Sequence, residues 1–236
     1  MASPAALPRL RLVTNIAGDY LSGGTVTRML ALAQSERLAL CALLDELGPA
    51  APTLCEGWRT AELAAHLVVR ERNPVAMSGA VARGGPLAAY AEKATERQRD
   101  AVEFPELVSM LRAGPPWFTP LGLPGPREWF NVHEFFVHHE DVRRPAGHGP
   151  RSLGADLDEA LWRRLRTLAT GLVRPPAGIG VELVRPDGAV ARAGSGAAQV
   201  RVSGPVGELV LYAFGRRTAA AVQVSGDPAA VARLEG

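Results

Sequence analysis

The chain has 236 residues, 47% apolar and 21% charged, with 26 basic and 24 acidic side chains and a net charge of +2. That is an ordinary globular composition, long enough to bury one large core or two small ones. Its balanced, scattered charge gives no electrostatic basis for binding nucleic acid or an anionic membrane.

Cys41 and Cys55 lack CxxC spacing, so neither a disulfide scaffold nor a zinc knuckle is expected, and a cytoplasmic setting is. No run approaches the ~18 apolar residues of a membrane span. Residues 1–27, with Pro4, Pro8 and Gly23-Gly24, read as a loosely ordered extension without the apolar stretch of a signal peptide.

The spacing predicts a first helix over 28–47. Leu40, Leu43, Leu44 and Leu47 recur at i, i+3, i+4 and i+7, and Gly48-Pro49 stops the run. A second helix is expected from Thr60 as N-cap, with Glu62 in its first turn. Leu63, His66, Leu67 and Arg70 share a face of it, and Asn73-Pro74 ends or kinks it. After Gly84-Gly85-Pro86, helical sequence runs over about 87–101. A short helix begins near Pro105, with Leu107, Val108 and Leu111 on one side. Residues 113–127 carry five prolines and read as an irregular loop. A helix then opens near Arg127 and ends at Pro145 and Gly147. A further amphipathic helix spans 155–173, burying Leu157, Ala160, Leu161, Leu165 and Leu168.

Past Pro175-Pro176 the period changes from about four to two. Val181–Arg185 and Ala189–Ala193 flank Pro186-Asp187-Gly188, a hairpin signal. Residues 200–209 (VRVSGPVGEL) and 222–231 (VQVSGDPAAV) each read as a short strand, a Ser-Gly turn and a helix with Pro in its first turn. The expected organisation is α+β: a helical bundle over 28–175, then a small α+β module over 178–236.

The chemistry concentrates in EWFNVHEFFVHHEDVRR. Phe130, Glu134, Val137, His138 and Asp141 fall on one helical face. Glu134 and His138 are one turn apart and can bind one ion together. The helix is apolar nearly all round, and a buried carboxylate needs a cationic partner or a metal. The plain alternative is a surface i, i+4 pair. His66, on the inner stripe of another helix, is the economical third ligand, although a lone histidine there is more often a core residue. Two imidazoles and a carboxylate suit Zn²⁺ with open coordination positions, and Fe²⁺, Ni²⁺ or Mn²⁺ by ligand type as well. Asp141 reads either as a hydrogen-bond partner of a ligand histidine or, with Glu140, as the exposed end of the helix. His133 lies off the best face, His148 reads as an exposed loop residue, and both cysteines read as small packed residues, with a reactive loop thiol as the alternative for Cys55.

The runs APTLCEGWRTAELAAHLVVRE (51–71) and NVHEFFVHHEDVRRP (131–145) resemble the actinobacterial maleylpyruvate-isomerase-like, mycothiol-dependent family of the DinB-like metal-binding superfamily. The resemblance covers about residues 28–236. It implies a DinB-like four-helix bundle holding a divalent metal, zinc above all, on His66, Glu134 and His138, followed by a sterol-carrier-like α+β module. It also implies mycothiol or a similar low-molecular-weight thiol as cofactor. An arginine of the module would face the site. Gly215-Arg216 fits that stretch, Arg217 follows directly, and a solvated helix-end charge stands as the alternative.

The expected activity is isomerisation of, or thiol transfer to, a small electrophile whose carboxylate Arg216 would hold by a two-pronged contact. A metal- and ligand-binding sensor or carrier, and a metal-dependent hydrolase, are the competing readings.

Overall fold

The computed structural model describes residues 23–81, 85–119, 121 and 126–236. Residues 1–22 of the expected extension lie outside them, whereas 23–27 belong to the first helix. The elements run α1 (Gly23–Leu47), α2 (Thr60–Arg72), α3 (Pro74–Val81), α4 (Gly85–Ala101), α5 (Phe104–Ala113), α6 (Pro126–Arg143) and α7 (Ala155–Val173). They continue as β1 (Gly180–Val184), β2 (Val190–Ala193), β3 (Ala198–Ser203), α8 (Val206–Ala213), β4 (Gln223–Gly226) and α9 (Pro228–Glu235). The molecule is a mixture of helix and sheet, of the α+β class. No described helix is long and apolar enough to cross a membrane.

Asn73-Pro74 separates α2 from α3, as proline's missing N–H and the bias it imposes on the preceding residue require; Asn73 Oδ1 accepts from the backbone N–H groups of Val75 and Ala76 at 3.2 and 3.1 Å. The N-cap of α2 is Arg59, not Thr60. Glu62 accepts from the Arg59 N–H at 2.9 Å, while the Thr60 hydroxyl donates to the Gly48 carbonyl at 2.5 Å. Thr60 thereby ties the start of α2 to the end of α1.

Two apolar cores meet on α6. One holds Leu40, Leu44, Leu63, Leu67, Leu107, Leu111, Phe135 and Val142, from α1, α2, α5 and α6. The other holds Val132 and Phe136 of α6, Leu161 and Leu165 of α7, and the inner face of the sheet with α8 and α9. Sandwiched in this way, α6 places Phe135 and Val142 in one core and Val132 and Phe136 in the other, while its buried Asn131, His133, His138, His139, Glu140 and Asp141 correct the expectation of a helix apolar nearly all round.

The sheet has the order β2-β1-β3-β4. β1 runs antiparallel to β2 and parallel to β3, and β3 antiparallel to β4. Val181, Leu183, Ala191, Ala193, Val200 and Val202 alternate onto the helix-covered face. The opposite face carries Glu182, bridged to Arg192 and Arg201 at 3.1 Å each. This period-two division is that of a sheet with one wet side.

Candidate metal centre

His66 is on α2 and Glu134 and His138 are on α6, yet the three side chains converge. Their ligand atoms all lie within 4.8 Å of one another. His138 Nε2 stands 3.3 Å and His66 Nε2 3.7 Å from Glu134 Oε1. The two imidazole rings meet edge to face, 5.5 Å between centroids. Trp58 leans on His66 at 5.0 Å. Arg70, one turn beyond His66, brings its Nε to 3.1 Å from the same carboxylate oxygen and donates through Nη1 to Asn131 Oδ1 at 2.9 Å. The side chain of Phe130, assigned to the same face from the sequence, lies outside those described.

These neighbours set the protonation states. Burial works against charge on Glu134, but Arg70, His138 and His66 outweigh it and hold the carboxyl well below its ordinary range. Burial pushes His66 down, toward the neutral imidazole that a metal requires. Burial also opposes a proton on His138, but Asp141, Cys55 and Glu134 together raise its pKa well above the ordinary value.

Asp141 anchors the far side of His138. Its carboxylate Oδ2 accepts from His138 Nδ1 at 2.9 Å, so Nε2 is the nitrogen turned to Glu134 and His66. The Cys55 thiol donates to the same oxygen at 3.2 Å. Arg216 forks onto both carboxylate oxygens, Nε to Oδ1 at 2.8 Å and Nη2 to Oδ2 at 2.6 Å. Burial works against the Asp141 carboxylate, and His138 and Arg216 reverse it, leaving the group well below the usual range.

Asp141 and Glu140 are both fully buried, which corrects the reading of them as an exposed helix end. Glu140 is held by Arg143 and Arg151 at 2.8 Å and by Arg144 at 2.6 Å. Arg217 turns away from the site, to the Leu234 and Val173 carbonyls and over the Tyr212 ring. Of the two adjacent arginines, Arg216 is therefore the one that reaches the cluster.

Cys55 was missed as a site residue. It is half-buried, in a loop shaped by a bridge between Pro52 and Arg59 and by the Thr53 hydroxyl, which donates to the Trp58 carbonyl at 2.8 Å and accepts from the Cys55 N–H at 3.1 Å. Gly57, at φ +75°, makes the turn that lets the loop fold back. Only the tight run of turn residues around Glu56-Gly57 hinted at this placement. His133 points elsewhere, its Nε2 donating to the Leu161 carbonyl at 3.0 Å.

The fold and the site together define a helical protein with a two-histidine, one-carboxylate cluster, carrying a small mixed-sheet module. Two solved structures share this fold, both of the mycothiol-dependent maleylpyruvate isomerase, one of them a histidine-to-alanine mutant. The mutant aligns with a TM-score of 0.54 at 19% identity and the other with 0.53 at 21%; each alignment covers 86% of this chain and 94% of the other. No family model and no curated protein matches the sequence. The likeness is one of fold, and it is the fold that the LAAHL and EFFVHHEDVRR runs pointed to.

Proposed function

We infer that the protein is a metal-dependent, thiol-using isomerase, its ion held by His66, Glu134 and His138. The convergence of those three side chains from two helices carries the reading. The set fits a borderline-soft divalent ion such as Zn²⁺: two imidazoles, one ionised carboxylate, and fewer ligands than a closed structural site. Asp141 on His138 Nδ1 adds the outer hydrogen bond that metal-binding histidines commonly have. When bound, such an ion acidifies a coordinated thiol and keeps it nucleophilic at neutral pH.

The chain's own residues supply the rest. Arg70 and the two imidazoles keep Glu134 ionised, and Asp141 fixes which face His138 presents. Trp58 walls the cluster beside His66. The solved structures of this fold belong to a mycothiol-dependent enzyme, which makes mycothiol or a similar low-molecular-weight thiol the cofactor of choice. The substrate is then a small electrophile with an activated double bond: thiol addition, bond rotation and elimination give isomerisation, and arrest after addition gives transfer. A carboxylate-bearing electrophile is the expected form of that substrate. The finer description of the helical part as a DinB-like four-helix bundle, of the tail as sterol-carrier-like and of the location as cytoplasmic belongs to the same proposal.

Elemental analysis of purified protein tests it. Near-stoichiometric metal is expected in the parent and little in Glu134→Ala or His66→Ala, with turnover of a maleyl-type electrophile only when thiol is added. Full metal retention in both variants rules the triad out. Thiol-independent turnover points to a hydrolase, and tight ligand binding without turnover to a carrier.

A further inference from the structure

Asp141 is the most heavily engaged carboxylate of the site. It has no exposed surface, and its Oδ2 accepts from His138 Nδ1, the Cys55 thiol and Arg216 Nη2, while Oδ1 accepts from Arg216 Nε. Its backbone carbonyl also accepts from the Leu54 N–H at 2.9 Å. The Arg216 fork is spent inside the protein. Two nitrogens are on Asp141, Nη2 also reaches Cys55 Sγ at 3.3 Å, and Nη1 donates to the Phe214 carbonyl at 2.7 Å. A two-pronged grip on a substrate carboxylate would have to break a bidentate, charge-assisted pair to a buried partner, and such pairs are among the stronger hydrogen-bonded contacts in proteins.

We propose that Arg216 is a positioning residue for the metal ligand His138, acting through Asp141, so that the C-terminal module completes the metal centre. The inference rests on the metal-centre reading above. Imidazole can turn about its Cβ–Cγ bond. The carboxylate on Nδ1 fixes that rotation, and Arg216, from a segment 75 residues further on, fixes the carboxylate. Without Arg216 the Asp141 carboxylate keeps only the Cys55 and His138 bonds and loses its defined orientation. The ligand nitrogen then points less well at the ion.

The test uses the full-length protein, Zn²⁺ affinity by chelator competition, and the visible absorption of the Co²⁺-loaded form as a report on ligand geometry. Asp141→Asn should weaken Zn²⁺ binding by the ~10–100-fold typical of such outer partners, and Arg216→Gln by a smaller factor in the same direction, with a changed Co²⁺ spectrum. Because the two act in series, the double variant should bind Zn²⁺ no more weakly than Asp141→Asn alone. Arg216→Lys, with one prong instead of two, should fall between parent and Gln; if the Gln variant does not fold, this variant carries the test. Arg217→Gln should match the parent. An Arg216 variant with parental Zn²⁺ affinity and Co²⁺ spectrum overturns the inference and leaves the metal centre standing. A parent that takes up no Zn²⁺ overturns both.

Discussion

His133 shows how one buried group writes itself into the pH dependence of the whole chain. Its ring is 1% exposed and stacks on Phe214, and its Nδ1 has no hydrogen-bond partner among the described residues. Burial, reinforced by Arg164, pushes its pKa down to about 3. Above pH 6.5 folded and unfolded chains both carry the neutral ring, so its contribution is fully present. As the pH falls from 6.5 toward 3, the unfolded chain takes up a proton that the folded chain refuses, and stability is lost. His133→Gln should therefore remove ~2–3 kcal/mol of the stability difference between pH 7 and pH 4.5, measured by urea unfolding at both. An unchanged difference would mean the acid sensitivity lies elsewhere. The other histidines differ in how legible they were. The Glu134–His138 pair follows from helical spacing alone. His66 needed the resemblance as well, because periodicity places a residue on an inner face without naming the helix it meets. The choice of Arg216 over Arg217 has no local sequence signal, and the Cys55–Asp141 contact has only the turn residues around Glu56-Gly57, since both depend on how a distant segment folds back.

At the scale of elements, most helix extents were legible to within about five residues because apolar spacing, Pro and Gly are local signals, whereas α3 (Pro74–Val81) was not read as a helix of its own. The hairpin was legible from Asp187-Gly188, and each strand–turn–helix unit from its Ser-Gly and Pro. The sheet order was not, because the parallel pairing of β1 with β3 is decided by burial against α7 and α8. Gly207, the second residue of α8, marks a close approach to α6. A Cβ there would lie 2.9 Å from Phe136 Cζ and 3.2 Å from Leu153 Cδ1, so a side chain at this position would press on the Phe136 ring of α6. Gly207→Val should cost ~1–3 kcal/mol by overpacking. Pairing it with Phe136→Leu should recover part of that loss, since the smaller side chain vacates the clash. The comparison is made by the denaturation midpoints of the two singles and the double. Additive losses would mean the two side chains do not meet.

At the scale of the molecule, α6 contributes side chains to both cores, so the helical part and the tail are expected to unfold together. Phe135 and Val142 face one core and Val132 and Phe136 the other, so neither core survives if this helix unravels. The charges follow the same route. Glu36 of α1 takes His139 at 3.0 Å and Arg151 at 2.5 Å, Arg151 passes to Glu140, and Arg144 joins Glu140 to Glu208 of α8 at 2.6 and 2.5 Å. Glu208 then accepts from the Ala221 N–H at 2.8 Å. A buried chain of this kind adds little net stability over apolar packing, but removing one member leaves its partners charged and unmatched, at ~3–5 kcal/mol. Glu140→Ala takes a carboxylate from Arg143, Arg144 and Arg151, of which Arg144 keeps Glu208 and Arg151 keeps Glu36, so its cost should fall at the lower end of that range. Its effect should reach both ends of the chain at once. Trp58 packs on the first core and Trp162 in the second, so single-tryptophan versions reporting from each should unfold in urea with one shared midpoint. In the Glu140→Ala background both midpoints should move together by the same amount. Separate midpoints for Trp58 and Trp162 in the parent would show that the tail unfolds by itself and that α6 does not couple the two cores.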